Sequence, residues 1–155
     1  VKIMGIDPGS NITGYGIIEK KEDRLNWIDD GQISPSKRSS FYERLFYIFS
    51  EIKRLIDKYR PQEVALEDIF YSKNVKSSIR LGHIRGAIVV ASLSMGVPLF
   101  EYTPLEVKKA VTGYGAASKS QVKEMVKLIL SIERDISFDS SDALAIAICH
   151  ANTRR

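Results

Sequence analysis

Four acidic residues carry the chemistry that this sequence suggests: Asp7 in Ile-Asp-Pro-Gly-Ser, Glu67 in Ala-Leu-Glu-Asp, and Asp139 and Asp142 in Phe-Asp-Ser-Ser-Asp-Ala-Leu. Each abuts an apolar run. The runs that end at Asp7 and Glu67 read as short buried strands, while Asp139 and Asp142 open an apolar helix. Carboxylates at the carboxyl ends of strands face the crevice in which open α/β sheets bind ligands. Four anions gathered there repel one another and cannot all stay ionised without a cation. An all-oxygen donor set with no Cys or His cluster favours hard Mg²⁺, with Mn²⁺ as its substitute. The chemistry expected of such a site is two-metal hydrolysis of a phosphodiester. Each acid also has a plainer reading. Asp139 suits a helix N-cap that accepts the Asp142 amide, Asp142 suits the helix dipole, Asp7 before Pro-Gly suits a turn, and Glu67 suits a surface strand end. What favours a shared site is that all four fall at the tips of elements of one plausible sheet.

The elements that must position these acids can be read from periodicity and punctuation. Residues 1–7, 12–19 and 24–33 read as three strands joined by the turns Pro8-Gly9-Ser10-Asn11 and 20–23, connections short enough to favour an antiparallel meander. A helix follows, with Ser40 and Glu43 at capping-box spacing, an apolar face from Phe41 to Tyr59, and Pro61 beyond its end. A strand at 63–67 returning after that helix should lie parallel to an earlier strand, and pairing with the first would set Asp7 beside Glu67. Residues 79–95 read as a largely apolar helix whose Gly82, Gly86, Ala87 and Ala91 allow close approach of another helix, either inside the core or at a subunit interface. A short strand at 97–102 precedes two helices announced by Thr103-Pro104 with Glu106 and by Ser118 with Gln121. The last helix spans about 140–151. This order predicts an α/β fold of the ribonuclease H-like kind, a mixed five-stranded sheet flanked by helices, with residues 1–155 as a single nuclease domain.

At 155 residues and 44% hydrophobic composition the chain can bury a sizeable core, and 23 Lys and Arg against 19 Asp and Glu give a net charge of +4. That excess permits nucleic-acid binding without requiring it. Its distribution is more telling, because residues 71–100 contain no acid while Lys73, Lys76, Arg80 and Arg85 lie among them. Cations thus gather just after Glu67. A second group comprises Lys108, Lys109, Lys119 and Lys123, of which Lys123 reads either as a solvated helix residue or as a further contact. The lone Cys149 sits in an apolar run as a small buried hydrophobe, and His83 and His150 read as a groove residue and a surface helix-end residue. Gly113-Tyr114-Gly115 reads as a loop with little apolar bulk to pin it. No apolar stretch approaches the roughly 20 residues of a membrane span, and the N-terminus begins directly with strand-like sequence. The expectation is a protein of the reducing cytoplasm with no membrane partner.

Taken together, Ile6-Asp7-Pro8-Gly9-Ser10, Thr13-Gly14-Tyr15-Gly16, Leu66-Glu67-Asp68, Lys119-Ser120-Gln121-Val122 and Asp139-Ser140-Ser141-Asp142-Ala143-Leu144-Ala145 resemble the RuvC family of bacterial Holliday junction resolvases. The motifs span nearly the whole chain in order. The resemblance implies that Asp7, Glu67, Asp139 and Asp142 are the catalytic metal ligands, with two Mg²⁺ per subunit and products bearing 5′-phosphate and 3′-hydroxyl ends. Some relatives carry His where Asp139 stands. It also implies that Lys108 and Lys119 act near the active centre and that Phe70 stacks on bases at the open crossover, its alternative being a core phenylalanine with Tyr71 beside it. Lys73, Lys76, Arg80 and Arg85 would complete the DNA contacts. A four-way DNA junction has near two-fold symmetry, so a homodimer built on the 79–95 helix is expected. A branch-migration motor of the RuvA–RuvB type is the further partner, in recombination and repair. Three rivals remain: a junction-binding module without catalysis, an actin-like nucleotide-binding fragment, and a nuclease of the same fold acting on plain duplex or RNA–DNA hybrid.

Overall fold

The structure is a computed structural model that describes residues 1–68 and 73–154. Strands β1 (Lys2–Asp7), β2 (Thr13–Lys21) and β3 (Arg24–Ile33) form the antiparallel meander. Helix α1 (Phe41–Tyr59) starts at Ser40, whose hydroxyl accepts the Glu43 amide at 3.2 Å. It ends at Arg60, held in the left-handed region with φ 52° before Pro61. Strand β4 (Glu63–Glu67) then pairs parallel with β1 in the register Ile3↔Glu63 to Ile6↔Leu66, which sets the next residues, Asp7 and Glu67, side by side. After α2 (Val75–Ser94), strand β5 (Leu99–Tyr102) joins β4 in parallel and completes the order β3-β2-β1-β4-β5. Helices α3 (Pro104–Thr112) and α4 (Lys119–Leu130) both open with full capping boxes, at Thr103/Glu106 and Ser118/Gln121. Helix α5 (Phe138–Thr153) closes the chain.

Strand alternation decides which face each acid serves. Ile3 of β1 and Ala65 of β4 pack among α3, α4 and α5, whereas Met4, Ile6, Val64 and Leu66 pack against α1 and α2. Asp7 has the parity of Ile3, and Glu67 the parity of Ala65. Both carboxylates therefore project to the α5 side, where Asp139 and Asp142 lie. Helix α5 is buried on all sides, with Leu144, Ile146 and Ile148 fully inaccessible, and it lies directly on the sheet over a floor of glycines. A Cβ at Gly5 would fall 2.0 Å from the Ala143 carbonyl oxygen, one at Gly14 2.1 Å from the Asp139 carbonyl, and one at Gly16 2.6 Å from the Leu144 side chain.

Three expectations change. Helix α2 begins at Val75, four residues before the apolar pattern does, because Asn74 caps it through the Ser77 amide and its first turn is exposed. Asp139 is not the N-cap of α5: Ser137 takes that position and accepts the Ser140 amide at 3.0 Å, which leaves both Asp139 oxygens free of a capping role. His150 is not a surface residue but 1% exposed, bonded to Glu63 at 2.7 Å and to the Tyr102 hydroxyl at 2.6 Å, with the Phe100 ring 4.5 Å away. Its Nε2 pairs with Glu63, and its Nδ1 shares a hydrogen bond with the Tyr102 hydroxyl. Arg154 adds two further bonds to Glu63, each 2.9 Å. Burial acts to raise the Glu63 carboxyl, but the bonds from Arg154 and His150 outweigh it and hold the group below its usual range. His150→Ala should cost about 2 kcal/mol, since it strands the Tyr102 hydroxyl and removes one of the three bonds to Glu63; a thermal midpoint equal to that of the parent would contradict this. Among the described residues, no helix is long and apolar enough to cross a membrane.

Candidate active site

Asp7, Glu67 and Asp142 line one cleft of about 270 Å³ together with Lys108 and Lys119, floored by Val107, Val122 and Ala145. Three helices and two strand ends meet there. The middle of α3 supplies Lys108, the first residue of α4 supplies Lys119, and the second turn of α5 supplies Asp142. Asp139 stands one turn back on α5, toward β3 and outside that lining, and its Oδ2 accepts a hydrogen bond from Gln32 Nε2 at 3.1 Å.

The carboxyls are too close to ionise independently. Asp7 is pushed up to about 9, first by burial and then by the charges of Glu67 and Asp142, and it donates its proton in a hydrogen bond to Glu67. Burial also raises Glu67 and Asp142, against the opposing pull of Lys119 and Lys108. Lys119 reaches within 3.7 Å of Asp142. Buried like charges of this kind call for a positive counter-charge, and a set of oxygen donors with no thiol or buried imidazole suits a hard divalent ion. The donors thus fit the ions expected at this site. Among the described residues, no three such groups are drawn together as tightly as a bound ion holds its ligands.

The expected DNA-binding cations divide by environment. Lys73, Lys76 and Arg80 are exposed at the start of α2, with the Arg80 guanidinium 5.2 Å over the Phe41 ring and exposed His83 edge-on to the same ring. Arg85 departs from expectation: its side chain is 15% exposed and pairs with Glu101 at 2.6 Å and with Asp68 at 3.7 Å, so its charge is turned inward. Lys123 is likewise not solvated, being paired with Asp135 at 2.8 Å and lying 4.8 Å over the Phe138 ring. Phe70 and Tyr71 lie outside the described residues. Gly113 is the left-handed C-cap of α3, and Gly115 packs against Leu105 and the Lys109 methylenes, so that loop does meet apolar bulk.

Two residues near the acids escape sequence reasoning. One is Gln32. The other is Arg44 of α1, which donates to the Ser10 carbonyl and so braces the loop that leaves Asp7. Neither belongs to a motif, and their partners lie 107 and 34 residues away in sequence.

A mixed β3-β2-β1-β4-β5 sheet between two helical layers, with acids at the adjacent tips of β1 and β4 and at the start of the helix lying on them, defines a nuclease domain of the ribonuclease H-like class. The family model described as crossover junction endodeoxyribonuclease RuvC matches residues 3–150. The chain is 50% identical over 153 residues to the crossover junction endodeoxyribonuclease RuvC of Geotalea uraniireducens, covering 99% of this chain and 90% of that one. It is 48% identical to that of Geobacter sulfurreducens, covering 99% and 93%. Among solved structures it superposes on Thermus thermophilus RuvC in complex with a Holliday junction substrate with a TM-score of 0.91 and 32% identity, covering 97% of this chain and 92% of that one. The chain belongs to the RuvC family of crossover junction endodeoxyribonucleases. It is a structure-selective endonuclease of four-way DNA junctions.

Proposed function

We propose that Asp7, Glu67, Asp139 and Asp142 hold two Mg²⁺ ions, replaceable by Mn²⁺, and that the cleft hydrolyses one DNA phosphodiester per subunit to leave 5′-phosphate and 3′-hydroxyl ends. The observation that carries this reading is the convergence of three partly buried carboxyls and two lysines on one narrow cleft. When bound, the ions supply Lewis-acid activation of water and of the scissile phosphate. The residues do the rest. Asp7, which burial and its acidic neighbours hold protonated, would release that proton to solvent on taking a cation and would hold the cation as a carboxylate together with Glu67. Lys119, which pairs with Asp142 at 3.7 Å, and Lys108 across the cleft offer cations to the phosphate oxygens. Lys73, Lys76 and Arg80, exposed beside the segment that carries Phe70, bind the flanking backbone. Phe70 stacks on an unpaired base, a contact worth about 1–3 kcal/mol. Religation tests the products: the nicked duplexes released in Mg²⁺ should be sealed by a DNA ligase without prior phosphorylation, whereas 5′-hydroxyl ends would contradict the reading.

Paired nicks need a matched pair of sites, and the symmetric solution is a homodimer through α2. Ile79, Val90 and Leu93 are each more than half exposed along one side of α2, and a Cβ at Gly82 or Gly86 would meet nothing within 4 Å. Ala91 is fully buried, so a charge there would test folding rather than association. Val90→Glu should halve the mass measured in solution by light scattering while the far-ultraviolet circular dichroism stays unchanged. A dimer of undiminished mass would place the interface elsewhere. A branch-migration motor that delivers the junction is the further partner.

A further inference from the structure

We infer that Gln32 is a positioning residue that presents Asp139 to the divalent ion, an inference that rests on the metal-binding reading above. Asp139 differs from its companions. Asp7, Glu67 and Asp142 are held by a shared cleft and by one another, whereas Asp139 lies beyond the lining and is joined to β3. The bond from Gln32 Nε2 to Asp139 Oδ2 spans 3.1 Å and joins residues 107 apart in sequence.

The backbone around this bond is tightly defined. In the β2–β3 ladder Gln32 faces Gly14, and Gly14 is the residue whose missing Cβ lets the Asp139 carbonyl sit against the sheet. Two residues along β3, Asp30 is 3% exposed at its side chain and accepts from Arg134 at 2.6 Å and from Trp27 Nε1 at 2.8 Å, with the Arg134 guanidinium 5.3 Å from the Trp27 ring. Asp30 and Gln32 project from the same side of the strand. The edge strand therefore grips the segment leading into α5 at Arg134 and the helix start at Asp139.

The choice of an amide is chemically specific. Gln32 occupies Oδ2 with a neutral donor, which orients the carboxylate, leaves Oδ1 open, and adds no positive charge to repel a cation. Asp142, by contrast, has a cationic partner in Lys119. Groups that orient a ligand in this way typically alter metal affinity or activity 10–100-fold when removed.

The test is Mn²⁺ binding to the full-length protein without DNA, read by calorimetry and by the electron paramagnetic resonance of free Mn²⁺, for the parent, Gln32→Ala, Gln32→Met and Asp139→Asn. Met keeps the length of the side chain and removes the donor. Both Gln32 variants should bind Mn²⁺ at one site about tenfold more weakly, keep the parental melting midpoint within a few degrees, and need more metal for half-maximal junction cleavage. Parental Mn²⁺ binding in both variants would overturn the inference. Weakening in Gln32→Ala alone would also overturn it, since packing rather than the hydrogen bond would then be responsible. If Asp139→Asn itself left Mn²⁺ binding unchanged, the assignment of Asp139 as a ligand would fail and the role of Gln32 would fall with it.

Discussion

Asp7→Asn should abolish junction cleavage, by at least about a thousandfold or roughly 4 kcal/mol of transition-state stabilisation, while junction binding persists. The same substitution should alter stability in a way that a merely inactive variant would not. Burial, followed by Glu67 and Asp142, pushes the Asp7 carboxyl up to about 9 from an ordinary value of 3.8. The folded protein without metal therefore keeps a proton that the unfolded chain has lost across that window. Stability contributed by this group is complete below pH about 4 and declines as pH rises toward 9. In the presence of a chelator, the melting midpoint of the parent should fall from pH 6 to pH 9, and the fall should be shallower for Asp7→Asn. Mg²⁺ should restore the parent at high pH and do little for the variant. Equal pH slopes for the two proteins would mean that Asp7 is solvated like an ordinary carboxylate.

The second large effect is expected at Gly5. The Cβ of alanine would sit 2.0 Å from the Ala143 carbonyl oxygen and 2.9 Å from the Ala147 amide nitrogen, both backbone atoms that no rotamer change can move. Helix α5 would have to lift from β1, and Asp139 and Asp142 ride on its first two turns. Overpacking of this kind costs about 1–3 kcal/mol and occasionally more, and a rigid backbone contact belongs at the upper end. For a chain of this size, about 3 kcal/mol is a drop of roughly 6–12 °C in melting midpoint. Cleavage should fall as well at temperatures where Gly5→Ala remains folded. Parental stability would show that α5 does not lie on the sheet at the distance described.

The features that place the acids were legible because they depend on local rules. Period-two alternation in β1 and β4 sends Asp7 and Glu67 to one face, and the single crossover through α1 makes those strands parallel neighbours. Three of the helix starts, at Ser40, Thr103 and Ser118, were announced by their caps. What the sequence concealed was mostly long-range polar pairing. Ser137 and Asp139 are both competent caps two residues apart, and only the folded geometry selects Ser137. His150 looked like the polar end of a surface helix because its partners, Glu63 and Tyr102, come from other elements. Arg85 sits in a run of cations, yet Glu101, 16 residues on, draws it inward. Gln32 bears no motif at all. Its amide gains meaning only when β3 is laid against the start of α5.

The carboxylate–metal mechanism is tested most directly by incubating the protein with a mobile four-way DNA junction, the matching linear duplex and an RNA–DNA hybrid, each in Mg²⁺ and in chelator, and mapping every nick. It predicts paired symmetric nicks on the junction alone, in Mg²⁺ alone. Nicks that persist in chelator would contradict the carboxylate–metal mechanism, and equal cleavage of all three substrates would contradict selectivity for the junction.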